Sequence, residues 1–529
     1  MKNLNFFVAV ILLLFSFISL AQDVYERNTS ANVQGYVFSL ILNDENNKIE
    51  GEAIVTVELD TEAETFALDL VGKSGEFGME ISEVFNGEDK ASFTHEGDKI
   101  KISNVKPGTS IFRIKYQGIA EQGLVIDTTK FGQRSFFGDN WPNLARHWLP
   151  CVDHPYDKAT IEFRITAPGH YDVVATGEKV EESSLGDGNK LTTYFEPNPV
   201  AMKNATIGVT RFATKILGTV GQVPVSAWVY PENRLDGFVD YQVAVKVISY
   251  FIENVGPYPF VKLANMQAKT QWGGLENAGT ISYFENSVTG KNEVEGLIAH
   301  EVAHQWFGNS ATENSWNHVW LSEGFATYFA TLYLESAYGA ERRKEESRKD
   351  REEVIEYYKE TPSSIVDNSI KDPMKVLSAN SYQKGGWALS MLRRQLGDEV
   401  FWKGIRAYYK AYEKSNVLTE DFQRVMEEVS GEDLAAFFRQ WVYTKGYPEL
   451  KWSWEHKKNK VIIKVDQKQK HYTFKFPIEF GIKTDGATEL RVFQVDETSE
   501  TFELSASVKP VDIVVDPEVW LLFESLGKK

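Results

Sequence analysis

The chain has 529 residues, 42% of them apolar and 25% charged, with 75 acidic against 57 basic side chains and a net charge of −18. That length predicts two to four domains, and the composition excludes a wholly disordered or fibrous chain. The acid excess argues against nucleic acid as a partner, because phosphate binding draws on surplus Lys and Arg. The single cysteine, Cys151, excludes an intrachain disulfide or a cysteine-rich metal cluster and reads as a buried core thiol.

Residues 1–21 read as an export leader. Lys2 is followed by the apolar run Phe6 to Leu20, and Ser19-Leu20-Ala21 supplies the small residues of a cleavage site. The run is short for a membrane span, and no positive cluster follows it at Gln22-Asp23. The expectation is an exported protein, periplasmic or extracellular, with no stable membrane insertion once the leader is removed.

Residues 22–219 are strand-like. Val55, Val57 and Leu59 alternate with polar neighbours, as do Phe66, Leu68 and Leu70, then Ile161, Phe163 and Ile165, which predicts an antiparallel β domain with one wet face. Over residues 220–447 the period becomes helical, in Phe238 to Val255, Val294 to Phe307, Phe325 to Ala337 and Trp387 to Leu396. Alternation returns over residues 448–529, where Tyr472, Phe474, Phe476, Ile478, Phe480 and Ile482 take every second position. The fold class is therefore multidomain α+β. Glu341 to Glu353 mixes both charges at helical spacing and reads as a solvated helix face. Lys457, Lys458, Lys460, Lys464, Lys468 and Lys470 read as solvent-facing strand lysines that discourage edge pairing.

The chemistry is concentrated between Gly273 and Lys384. In His300-Glu301-Val302-Ala303-His304 the two imidazoles stand four apart, one turn apart on one helix face, and can be directed at a single cation. Glu301 is displaced around the helix, which suits a base acting on water better than a ligand. Glu323 follows His304 with eighteen residues between and opens a second helical segment. Two packed helices then give a His, His, Glu site with a fourth position open for water, the arrangement of a catalytic zinc.

This pattern resembles the gluzincin zinc aminopeptidases, the family of membrane alanyl aminopeptidase and the leukotriene hydrolase. Gly273-Gly274-Leu275-Glu276-Asn277 is similar to that family's Gly-x-Met-Glu-Asn exopeptidase segment, with Leu275 for Met. Ser381-Tyr382-Gln383-Lys384-Gly385 resembles its catalytic-tyrosine segment, and Ala145 to Pro155 a block of its N-terminal β domain. The resemblance implies a thermolysin-like, mainly helical catalytic domain and a small C-terminal β-sandwich, in a short form without the helical domain that ends many relatives. It implies one zinc ion (Zn2+) per chain on His300, His304 and Glu323, with Glu301 as general base and Tyr382 as oxyanion donor. Gly273, Gly274, Glu276 and Asn277 would bind a peptide with a free N-terminus, Glu276 pairing with its α-amino group.

One segment departs from the family. Where relatives carry Gln-x-Glu, this chain has Asp139-Asn140-Trp141-Pro142, so either Asp139 serves the amine or Trp141 walls a side-chain pocket. Two other readings of the whole remain: a catalytically silent relative acting as a peptide-binding scaffold, and a zinc endopeptidase, which Glu276 disfavours.

Overall fold

A computed structural model describes residues 23–61 and 63–528; the expected leader lies outside them. In the strand Lys48–Leu59 the side chains of Ile49, Ala53, Val55, Val57 and Leu59 are buried and their neighbours face outward, the alternation of a sheet covered on one side. This strand belongs to an eight-stranded sheet in the order Glu178–Ser184, Asn189–Val200, Ala159–Pro168, Ala31–Ile41, Lys48–Leu59, Gly108–Ile119, Gly78–Asn86, Asp89–Lys90. All its pairings are antiparallel except that of Ala31–Ile41 with Ala159–Pro168, where Tyr36 stands opposite Ile161. Two smaller sheets close the domain, and its core buries Trp148, Phe163 and Cys151. Burial pushes the Cys151 thiol well above its ordinary pKa.

From Ala213 the chain enters a second sheet. Ala213–Val220 pairs with Val223–Val229, and the sheet continues through Leu263–Ala268 and Thr280–Phe284 to the edge strand Gly274–Leu275. Thr219, the last residue of the expected β domain, thus lies on a strand whose hydrogen-bond partners are in this sheet. The helices are α1 (Arg234–Asp240), α2 (Ala244–Asn254), α3 (Glu295–Ala303), α4 (Trp320–Tyr338), α5 (Ala340–Glu360), α6 (Gly385–Leu396), α7 (Asp398–Tyr412), α8 (Thr419–Ser430) and α9 (Ala435–Phe438). The one helix expected over Phe238 to Val255 is split after Asp240, whose buried carboxylate accepts the backbone N–H groups of Thr289, Gly290 and Asn292.

The C-terminal domain is a β-sandwich. One sheet runs Ser499–Ser505, Lys460–Gln467, Glu449–Lys457, Glu524–Lys528, and the other Ala487–Val495, Phe476–Thr484, Asp512–Val515. Its buried Val461, Ile463, Phe476 and Phe480 belong to the same apolar core as the helical domain. Two expectations are corrected here. All six lysines face solvent as expected, but Lys460 and Lys464 lie on a strand paired on both sides and guard no edge, while Lys457 lies past Trp452, where the pairing of its strand with Glu524–Lys528 stops. Lys460 pairs with Glu503 at 2.7 Å and Lys464 with Asp466 at 3.4 Å. Helix α5 is not simply solvated. Arg343 is buried and donates to the carbonyls of Glu518 and Val519, and Arg351 pairs with Asp516. The charged helix is thereby the seat of the C-terminal sandwich. The alternation beginning at Tyr472 yields a strand only from Phe476, because the backbone N–H groups of Phe474 and Lys475 donate to the side chains of Gln467 and Gln440 instead of to a neighbouring strand.

Candidate metal centre

His300 and His304 lie one turn apart at the end of α3, with their Nε2 atoms 3.0 Å apart. Glu323, in the first turn of α4, brings Oε2 to 3.4 Å from Nε2 of His300 and 3.3 Å from Nε2 of His304. Donors placed tetrahedrally about 2 Å from a zinc ion stand about 3.3 Å from one another. The three atoms are thus spaced to hold such an ion with a fourth position left over. Nδ1 of His304 faces the opposite way, 3.2 Å from the carbonyl oxygen of Phe307 and 3.0 Å from Oγ of Ser322. That contact selects the tautomer in which Nε2 keeps its lone pair for a metal. Burial opposes ionisation of Glu323, but His304 and His300 outweigh it and hold the carboxyl well below the usual carboxylate range.

Glu301 is buried, and its carboxyl oxygens, those of Glu276 and a ring nitrogen of His304 include a set lying within 4.8 Å of one another. Burial pushes the Glu301 carboxyl well above its ordinary pKa, with His304 opposing and Glu276 and Glu323 adding to the rise. A carboxylate in that setting has a raised proton affinity, as a base acting on water requires.

Tyr382 arrives through a backbone contact. A Cβ on Gly324 of α4 would stand 2.8 Å from Cα of Gly385 at the start of α6, so the two helices touch only because both positions are glycine. The π-turn Asn380–Lys384 that leads into α6 then lays the Tyr382 ring over that of His300, centroids 5.9 Å apart and planes at 11°. Burial and the carboxylates of Glu323, Glu276 and Glu301 push the Tyr382 hydroxyl well above its ordinary pKa, so it remains an O–H donor.

Glu276 follows the edge strand Gly274–Leu275. Its carboxylate accepts from Nδ2 of Asn204 at 3.4 Å and lies 3.9 Å from Nζ of Lys203, while its backbone oxygen accepts from the amides of Gln305 and Asn309. Gly273 is exposed, and Gly274 lies against Glu301. The side chain of Asn277 is turned to Ser282, donating to Oγ at 3.2 Å. Asp139 accepts from Thr270 at 3.0 Å and from the indole of Trp272 at 3.2 Å, and burial pushes its carboxyl up to about 6. Trp141 packs among Trp272, Trp316 and Leu275. Asp139 is thus tied to the loop at 270–272 and lies close enough to Glu276 for that carboxylate to add to the rise in its pKa, while Trp141 belongs to the apolar cluster that contains Leu275.

Sequence reasoning missed Lys203, Ser322, Gln305 and Asn309, because a buried polar contact between distant segments has no periodic signal. Only Ser322 carried a hint, standing next to Glu323.

Residues 239–441 match the model of the Peptidase family M1 domain, and residues 32–202 that of the Peptidase M1 N-terminal domain. The chain belongs to peptidase family M1. This M1 chain is 26% identical over 435 residues to probable aminopeptidase 2 of Sulfurisphaera tokodaii, spanning 77% of itself and 54% of that protein. It is 31% identical over 325 residues to aminopeptidase M1 of Arabidopsis thaliana, spanning 58% of itself and 36% of that protein. It thus spans about half or less of the curated relatives it matches. The M1 fold is seen again in the crystal structure of the M1 zinc metallopeptidase from Deinococcus radiodurans, with a TM-score of 0.68, 22% identity, and coverage of 79% of this chain and 95% of that one. Legionella pneumophila aminopeptidase A in complex with aspartic acid superposes with a TM-score of 0.82 at 17% identity, covering 96% of this chain and 61% of that one. The cofactor of this family is one zinc ion, and the spacing at His300, His304 and Glu323 fits it.

Proposed function

We propose that the protein is a zinc aminopeptidase that hydrolyses the first peptide bond of peptides with a free N-terminus. The observation that carries this reading is the buried carboxylate of Glu276 at the end of an edge strand, grouped with Glu301 and His304. An ammonium group held there leaves the first carbonyl of an extended peptide at the metal position.

His300, His304 and Glu323 would hold the zinc, which when bound would supply a Lewis acid and a water of lowered pKa. Glu301 takes a proton from the attacking water and passes it to the leaving nitrogen as the C–N bond breaks. Tyr382 donates its O–H to the oxygen that gains charge as the carbonyl carbon becomes tetrahedral. Gly273 and Gly274 present backbone to the substrate in strand fashion, and Asn277 closes the turn that aims Glu276. The composition of residues 1–21 supports export to the periplasm or outside the cell, and among the described residues no helix is long and apolar enough to cross a membrane. Peptides are the partner this chemistry fits; the acidic charge balance does not suit nucleic acid.

The test is turnover of amino-acid p-nitroanilides by the zinc-loaded protein, with and without N-acetylation and a chelator. Hydrolysis of the free-amine substrate, abolished by chelation and by acetylation, is the expected result. Cleavage of the acetylated substrate overturns the reading in favour of an endopeptidase. Full zinc content without turnover overturns it in favour of a binding scaffold.

A further inference from the structure

Lys203 lies in the tight turn Met202–Asn204 of the N-terminal β domain, and its ammonium is buried, 3% of the residue being exposed. Nζ stands 2.7 Å from Oε1 of Glu313 and 3.9 Å from Oε1 of Glu276. Glu313 is fully buried, and its Oε2 has no hydrogen-bond partner among the described residues. One ammonium therefore lies between two buried carboxylates and is the counter-charge to both, and a buried charge without a partner is costly. Among the described residues, the side-chain hydrogen bond to the Glu276 carboxylate is the long one from Asn204, in the same turn.

We propose that Lys203 is a positioning residue for Glu276: its buried ammonium, together with the Asn204 amide, holds the carboxylate that receives the substrate amine at its distance from the metal. This rests on the aminopeptidase reading and deepens it, since the amine pocket is then built across the boundary between two domains. The N-terminal β domain fixes the recognition group, and the helical domain supplies the reacting groups. Because the Lys203 charge is balanced by Glu313, removing both leaves the net charge of the pocket unchanged and removes only the restraint on Glu276.

The experiment compares Lys203→Met/Glu313→Gln, Glu313→Gln and Lys203→Arg/Glu313→Gln with the wild-type zinc enzyme on leucine p-nitroanilide, with zinc content measured for each. The double replacement with methionine is expected to keep its zinc and its kcat within threefold and to raise KM tenfold or more, and the arginine version to return KM to within threefold. An unchanged KM in the methionine variant overturns the proposal. If that variant does not fold, Glu313→Gln decides: with Lys203 left to Glu276 alone, KM holds within threefold, and a tenfold rise overturns the assignment. A crystal structure of whichever folded variant lacks Lys203 or Glu313 gives a readout independent of turnover. Loss of Lys203 is expected to shift the Glu276 carboxylate by more than 1 Å, loss of Glu313 alone to leave it in place, and the opposite result in either overturns the role. A wild-type enzyme without turnover sinks the aminopeptidase reading alone, and the displacement of Glu276 then decides the part of Lys203.

Discussion

Gly274 and the carboxyl group of Glu301 occupy adjoining space so fully that a Cβ at position 274 would meet Oε1, Cδ and Cγ of Glu301. The edge strand that would receive the substrate is in this way the wall against which Glu301, the proposed general base, rests. Gly274→Ala must displace Glu301. The expected result is a fall in kcat of about a hundredfold, within the usual contribution of a general base, with zinc content unchanged. Steady-state kinetics with metal analysis checks it, and a variant of normal kcat would show that Glu301 acts from another rotamer.

Tyr382→Phe keeps the ring that lies over His300 and removes only the donor. A fall in kcat of about a hundredfold or more is expected, as for loss of one oxyanion donor, with little change in KM. The same kinetics measured at several pH values should show the loss throughout, because the hydroxyl stays protonated across the working range.

Ser322→Ala leaves Nδ1 of His304 with the Phe307 carbonyl alone. Groups that orient a metal-bound histidine typically contribute ten- to a hundredfold in affinity, so zinc binding should weaken by about tenfold. Competition against a chromophoric chelator measures this directly.

Asp157 is buried, accepts a hydrogen bond from Tyr36 at 3.3 Å, and has its carboxyl pushed by burial up to about 7. The folded state therefore favours the protonated acid, and its contribution to stability is lost as pH rises from about 4 through 7. Asp157→Asn is neutral at every pH. Its melting temperature should match the wild type near pH 4 and exceed it at pH 8, with a gain of up to about 4 kcal/mol. Thermal melts at the two pH values decide, and a variant less stable at pH 8 would contradict the direction.

Arg351 joins α5 to the C-terminal sandwich through Asp516, the carbonyl of Leu521 at 2.6 Å and the ring of Phe523 at 4.7 Å. Arg351→Met strands Asp516, which is 5% exposed, and should cost about 3–5 kcal/mol, as breaking a buried ion pair does. Adding Asp516→Asn should recover part of the loss. Denaturant unfolding of both variants measures the two steps.

What the amino-acid sequence determined by itself was whatever depends on neighbours along the chain. Helical period aims His300 and His304 at one point, the opening of α4 carries Glu323, and alternation of period two identifies the strands of both β domains. Glu276 and Tyr382 came forward only because the short segments around them resemble those of a known family. Contacts between surfaces were decided only by the tertiary structure. Gly324 meets Gly385 because two helices bury their faces together, and Lys203 reaches Glu276 because a turn of one domain docks on an edge strand of another. The lysine-bearing strand became an interior one, and the charged helix a domain seat, for the same reason. Periodicity records which side of an element is covered, but what covers it depends on how whole faces exclude water together, and no single segment contains that information.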